Sequence, residues 1–184
     1  MAAVKNGRCV DTTMGLTPTG GLMMGARTGD LDPGVLVHLL RLENQTADWL
    51  DDMVSRRSGL LGVSGTSSDM RDLLARQAAD PRAAEAVEMF CYQARKWIGA
   101  LTAALGGLDT LVFSGGIGEH SPEVRARVCA GLGHLGIDLS SADNAANALV
   151  ISPGIAPFAV RVIPANEELM IARTVFRLIE APRE

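Results

Sequence analysis

The stretch Leu111–Val124, LVFSGGIGEHSPEV, restricts the fold of this chain more than any other. A short apolar strand runs into Gly115, Gly116 and Gly118, and Ser121-Pro122-Glu123 then opens a helix. A strand that turns through glycines into a helix belongs to an α/β layer. Glycines leave backbone amides unshielded, and a helix start adds partial positive charge, so such a turn suits phosphate and nucleotide groups. The stretch is not a GxGxxG fingerprint, because Ser121 stands where the third glycine belongs, and no Gly-Lys-Ser/Thr follows as in a phosphate loop of the Walker type. On the residues alone it reads equally well as a nucleotide contact or as a tight strand-to-helix turn.

The 184 residues, 47% of them hydrophobic, suffice for one well-filled core; two lobes can share them, but two large independent domains cannot. A net charge of −4 without a basic stripe argues against a nucleic-acid partner. Cys9, Cys91 and Cys129 lie far apart, with neither CxxC nor zinc spacing, and fit reduced thiols in a cytoplasmic protein. No apolar run approaches the roughly 20 residues that cross a bilayer, and the opening Met-Ala-Ala-Val-Lys-Asn-Gly has no apolar signal core, so no membrane partner is expected.

Along the chain, Asn6-Gly7 predicts a tight hairpin turn within Val4–Val10. Asp11–Gly29 reads as a long irregular segment, which in a compact domain is usually functional. Asp32-Pro33 opens a helix, and Thr46 caps a second one to about Arg57, closed by Gly59. A short apolar segment follows over Leu60–Gly65, and Ser67 or Ser68 caps a helix to about Gln77. Pro81 begins the longest helix, to about Leu105, with Val87, Phe90, Ala94, Trp97, Ile98, Leu101 and Leu105 at helical spacing. Thr110–Ser114 and Phe158–Ile163 are strands, Ile137–Ile151 gives no clear pattern, and Asn166 caps a last helix from about Glu167. A lone two-stranded hairpin cannot shield a sheet, so the start of the chain calls for partners.

Four segments can carry chemistry. The first is the glycine turn with His120 at its border. Arg27 in Gly25–Asp32 can offer its fork to a phosphate or carboxylate, or be a solvated arginine. Asp69 and Arg71, in a run of small hydroxylated residues, can meet a ribose hydroxyl and a purine face, or simply cap a helix. Glu167, after Pro164-Ala165-Asn166, can hold Mg²⁺ or complement a helix dipole.

Taken in order, Asp11–Pro18, Gly21–Asp30, Gly62–Gly65, Phe113–Glu119 and Ile163–Leu169 resemble the acetate kinase family over nearly the whole chain. The resemblance implies an α/β fold, the C-terminal lobe of the sugar kinase, Hsc70 and actin ATPase superfamily (ribonuclease H-like), incomplete at its N-terminal side. It implies residues 1–165 as a partial ATPase lobe and 166–184 as a terminal helix that packs on the absent first lobe. The implied activity is phosphoryl transfer between ATP and acetate, giving ADP and acetyl phosphate, with Mg²⁺. Arg27 matches the arginine that stabilises the transferring group. Asp69, Met70 and Arg71 match the adenosine segment, and Gly115, Gly116, Ile117, Gly118, Glu119 and His120 the second nucleotide loop. Glu167 matches the carboxylate associated with Mg²⁺. Met70 stands where an aromatic residue is common, and His120 where Asn is common. Family members are usually homodimers. A complete member is roughly double this length and carries further substrate and acid/base residues in its first half. The expected partner is therefore that first lobe or a separate chain supplying it. A non-catalytic split fragment and a propionate or butyrate kinase are the alternative readings.

Overall fold

Asp80 and Pro81 start the helix on which the other elements rest. The Asp80 carboxylate accepts from the amides of Arg82 at 3.0 Å and Ala83 at 3.3 Å, and proline occupies a first-turn position that needs no amide donor. The helix, α5 (Pro81–Leu105), ends at Gly106, whose left-handed φ of 76° lets the amides of Gly106 and Gly107 return to Ala103 and Thr102. Its buried positions, Ala83, Ala86, Val87, Phe90, Cys91, Ala94, Ile98 and Leu101, recur three and four apart and form one stripe. Each large side chain in that stripe contributes about 1.5–3 kcal/mol by leaving water.

The computed structural model describes residues 1–42 and 45–180, so the last four residues of the expected terminal segment, 181–184, lie outside the described residues. The hairpin of β1 (Ala2–Lys5) and β2 (Arg8–Thr12) turns through Asn6 and Gly7 with φ of 53° and 74°. Both positive angles are what this two-residue turn requires. The helices that follow are α1 (Pro33–Leu42), α2 (Ala47–Arg56), α3 (Gly59–Ser64) and α4 (Met70–Arg76). After α5 come β3 (Thr110–Phe113), α6 (Gly115–His120), α7 (Pro122–Cys129), a 3₁₀ turn at Gly133–Leu135, α8 (Ser141–Ala145), β4 (Ala159–Val162) and α9 (Glu167–Glu180). The strands β3 and β4 pair in parallel, Leu111 opposite Val160 and Phe113 opposite Val162. The stripe of α5 packs against α3, α4, α7 and the hairpin. Leu60, Met70, Leu73, Val124, Val128, Ile151 and Val160 complete the core.

Several boundaries differ from the sequence reading. Leu60–Gly65 is mostly the helix α3, because Gly59 (φ 63°) redirects the chain into a second helix after α2 stops at Arg57. Asp69, not Ser67 or Ser68, caps α4; the Ser67 hydroxyl instead accepts from the Asp69 amide at 3.0 Å. The glycines after β3 are themselves one and a half turns of helix, α6, so the helical region begins six residues before Ser121. The unpatterned segment 137–151 contains α8 and a single bridge from Val150 to Arg161.

Two surfaces are unpaired among the described residues. The free edges of β1 and β3 face a slot of about 200 Å³, whose walls include Ala3, Val4 and Leu111 and whose floor is Ile98, Leu101 and Leu105 of α5. The hydroxyl of Thr102 is buried there without a hydrogen-bond partner. Helix α9 buries no residue, and Met170, Ile171, Phe176, Leu178 and Ile179 are more than half exposed. The three thiols divide by burial: Cys9 is exposed on β2, whereas Cys91 and Cys129 are buried, which pushes their pKa values up to about 11 and about 12. No helix among the described residues is long and apolar enough to cross a membrane.

Two glycines give opposite expectations. A Cβ on Gly59 would collide with the carbonyl of Met24 and come within 2.6 Å of that of Arg27, at a left-handed φ. Gly59→Ala should cost on the order of 2 kcal/mol or more. Thermal denaturation should show this as a midpoint lower by roughly 4–8 °C in a chain of this size. Gly99, in the middle of α5, has open space around its missing Cβ, so Gly99→Ala should raise the midpoint, by about 0.5–1 kcal/mol in stability.

Candidate functional site

Short polar residues build the first wall of the site. The buried Ser64 hydroxyl accepts from the amides of Thr66 and Ser67, both at 3.2 Å, and turns the chain out of α3. Asp69 then caps α4 by accepting from the Arg71 amide at 2.8 Å. Its carboxylate also takes the Arg71 guanidinium side-on, Nε at 3.1 Å and Nη2 at 2.6 Å. These bonds hold the Asp69 carboxyl at a pKa of about 2. The Arg71 side chain is 87% exposed yet oriented by this fork-on-fork pair. Asp69 therefore caps α4 and at the same time orients the Arg71 side chain. Met70 points into the core, where it is 3% exposed.

The opposite wall is α6. Gly118 lies against Phe113 of β3, where a Cβ would sit 3.3 Å from the Phe113 carbonyl carbon. Gly115 (φ 76°) and Gly116 have no atom within 4 Å of the place a Cβ would occupy, so their backbone is open on one side. The two walls enclose a cleft of about 620 Å³ lined by Asp69, Met70, Arg71 and Leu74 on one side and Gly116, Ile117, His120 and Ser121 on the other. That is the size of a small-molecule site with a mostly apolar interior and a few polar groups at its edge.

Glu119 does not face this cleft with its carboxylate. One oxygen, Oε1, accepts from the amide of Gly115 at 2.6 Å and from that of Ala165 at 2.9 Å. The Ala165 and Gly115 amides hold the Glu119 carboxyl below the usual range, against the opposing effect of desolvation. One side chain thus closes α6 on itself and ties it to the segment that opens α9, where the Asn166 side chain accepts from the Leu169 amide at 2.9 Å. Glu167 stands two residues beyond that tie, exposed in the first turn.

Arg27 lies on the other flank. Its turn is closed by the Met24 amide donating to the Arg27 carbonyl at 3.1 Å and fastened by the Ser58 amide to Ala26 at 2.9 Å. The Gly25 backbone presses on Ser68, whose carbonyl oxygen would be 2.9 Å from a Cβ there. The Arg27 guanidinium meets only the Met24 sulfur, at 3.8 Å, and forms no ion pair among the described residues. The cleft therefore unites Asp69, Met70, Arg71, Gly116, Ile117 and His120. Gly115, Gly118 and Glu119 support it, while Arg27 and Glu167 do not line it: their segments are joined to its walls through Gly25 against Ser68 and through Ala165 on Glu119. Sequence reading missed Leu74 and Ser121. Leu74 follows Met70 by one helical turn, a spacing that periodicity can supply, whereas the sequence around Ser121 signals only a helix cap.

Comparison with known proteins gives one consistent result. The chain matches the model of the acetokinase family over residues 1–173. It is 50% identical to acetate kinase of Rhodopseudomonas palustris, over 100% of this chain and 46% of that protein. The fold superposes on crystal structures of Porphyromonas gingivalis acetate kinase (TM-score 0.92, 40% identity, 97% of this chain and 46% of that one) and a Francisella tularensis propionate kinase (TM-score 0.89, 35% identity, 94% and 44%). The chain spans about half the length of the curated relatives it matches.

The Glu119 tie has a pH signature. A carboxyl that is a stronger acid when folded gives its full stabilisation above the unfolded pKa and loses it as pH falls through the folded one. The Gly115 and Ala165 amide resonances should titrate together, with a midpoint below the ordinary glutamate value of about 4.3. In Glu119→Gln both amides should lose that titration, as two-dimensional NMR would show.

Proposed function

The chain belongs to the acetokinase family, and from that membership we propose that it is the C-terminal part of an acetate kinase. With the remainder of such a protein it catalyses reversible phosphoryl transfer from ATP to acetate, giving ADP and acetyl phosphate. The observation that carries the reading is the cleft between Asp69–Arg71 and Gly116–Ser121, two segments 45 residues or more apart in the chain that meet around one space of nucleotide size. In this reading the nucleoside end enters that cleft. The apolar parts of Leu74 and Ile117 receive the base, and Arg71, held by Asp69, lies along its face or edge. The open amide side of α6 faces the phosphates.

Phosphoryl transfer depends on positioning and on stabilising charge that shifts among the phosphate oxygens. Arg27, whose guanidinium meets only the Met24 sulfur among the described residues, is the group proposed for that task. It donates to the equatorial oxygens of the group in transit, and an acetate oxygen attacks phosphorus opposite the leaving ADP oxygen. Among the described residues no cluster of three His, Cys, Asp or Glu could cage a metal. Mg²⁺ does not need such a cage: it takes one or two carboxylates together with phosphate oxygens and waters. Glu167 fits as its single tether, and the ion, when bound, supplies charge neutralisation on the ATP phosphates. The likeness to a propionate kinase keeps a longer carboxylate open, since one methylene changes selectivity by only about 1–3 kcal/mol.

The two unpaired surfaces support the view that this lobe works with a partner. The slot between β1 and β3 is open at two strand edges, and the exposed apolar residues of α9 suit packing on a first lobe. A cytoplasmic homodimer of the completed protein is the expected context.

Isothermal calorimetry should show ATP binding to the 184-residue chain. A coupled assay should give no acetyl phosphate from the chain alone and turnover when the first half of the R. palustris enzyme is added. In that mixture Arg27→Ala should lower kcat by about 10²–10³ with little change in the KM for ATP. Turnover by the chain alone would overturn the requirement for a partner lobe. Failure of both ATP binding and complementation would overturn the kinase reading.

A further inference from the structure

Arg125, on α7, is the largest fully buried side chain among the described residues, with no solvent exposure. An arginine is rarely buried without a carboxylate, yet Arg125 has none within ion-pair distance among the described residues. Neutral oxygens take all five of its N–H donors. Nε donates to the Asn144 side chain at 2.7 Å. Nη1 donates to the carbonyls of Gly118 at 2.8 Å and Glu119 at 3.0 Å. Nη2 donates to the Asn144 carbonyl at 2.8 Å and the Asn147 side chain at 2.6 Å. Asn144 in turn donates to the Pro122 carbonyl at 2.9 Å, which closes the network on the start of α7.

The recipients show what this network holds. Gly118 and Glu119 carry late carbonyls of α6, which have no partner within a six-residue helix and form the negative end of its dipole. The helix is half glycine and contains no fully buried residue, so intrinsic propensity and the partial packing of Ile117 on the core give it little hold. It is pinned by ions at its two ends: the Glu119 carboxylate on the first amide and the Arg125 guanidinium on the last carbonyls. Between these pins lie Gly116, Ile117 and His120, one wall of the cleft.

We propose that Arg125 is a positioning residue for the nucleotide cleft: its buried fork sets the distance and tilt of α6 against Asp69–Arg71, and so sets nucleotide affinity without touching the ligand. The proposal rests on the nucleotide reading of the cleft. It assigns the network a role beyond holding the core together, because the core stripe of α5 and the β3–β4 pair do not use Arg125. Lysine, with three donors on one nitrogen, keeps the charge but cannot serve five oxygens spread around a planar fork.

The test compares the wild-type chain with Arg125→Lys and with Asn147→Gly. The second variant removes one acceptor at a position whose φ of 51° glycine adopts freely. Three readouts are taken well below each melting midpoint: ATP affinity by calorimetry, amide hydrogen exchange, and thermal denaturation. Arg125→Lys should weaken ATP binding at least tenfold and speed exchange over residues 115–121, while α5 and β3 keep wild-type protection. Saturating ATP should restore that protection. Asn147→Gly should move affinity and exchange the same way by a few-fold, and it decides the matter if Arg125→Lys does not fold. Folded variants with wild-type ATP affinity would overturn the proposal, as would loosening spread evenly over the whole chain. If the wild-type chain binds no ATP, the nucleotide reading fails. The exchange data then decide the remainder: loosening confined to 115–121 keeps Arg125 as the clamp on α6, and its absence removes that as well.

Discussion

Every element that matters to the cleft leans, directly or through one neighbour, on the buried stripe of α5. Helices α3 and α4 pack on one part of it and α7 on another, so the two walls of the cleft are set apart by a single rigid body. This explains how segments distant in sequence meet, with Gln77 at the end of α4 also hydrogen-bonded to Glu123 and Arg127 of α7. Leu73 and Met70 seat α4 in the core, Val124 and Val128 seat α7, and the cleft is the gap left between the polar ends of those helices. Close packing along the stripe makes that gap a fixed quantity.

Hydrophobic burial places the walls, but charged groups shape them. The Asp69–Arg71 pair, the Glu119 carboxylate and the Arg125 guanidinium each bind backbone groups that the short helices α4 and α6 cannot satisfy themselves. The arrangement suits a site that must offer bare backbone: glycines give access but no packing, and ions fix what packing cannot. Arg27 is the exception, a guanidinium whose donors remain uncommitted apart from a weak contact with sulfur.

Much of this was legible in the letters. Asn6-Gly7, Pro81 and Asn166 each dictate local geometry through their own backbone or side chain, and each turn, helix start or cap stands where it was expected. The α5 stripe followed from period alone. What periodicity could not supply was anything decided by tertiary partners. Leu60–Gly65 is too short and too apolar to distinguish strand from helix. Glycine-rich α6 has the composition of a loop and is helical because Glu119 and Arg125 hold it so. Arg125 itself, between Val124 and Ala126, has the look of a surface arginine, and only the fold shows the oxygens around it. The family motifs place Glu119 in the nucleotide loop, and only the fold shows that one of its carboxylate oxygens accepts from the amides of Gly115 and Ala165.

The uneven burial of the thiols has a practical side. Cys91 and Cys129 stay protonated far above neutral pH and are shut away from solvent, whereas Cys9 lies open on β2, opposite Val4 of the edge strand that borders the slot. A maleimide dye or nitroxide added under native conditions would therefore mark one position without any engineered cysteine. It would sit on the hairpin whose first strand borders the slot, so its emission or line shape would report any partner taken up there.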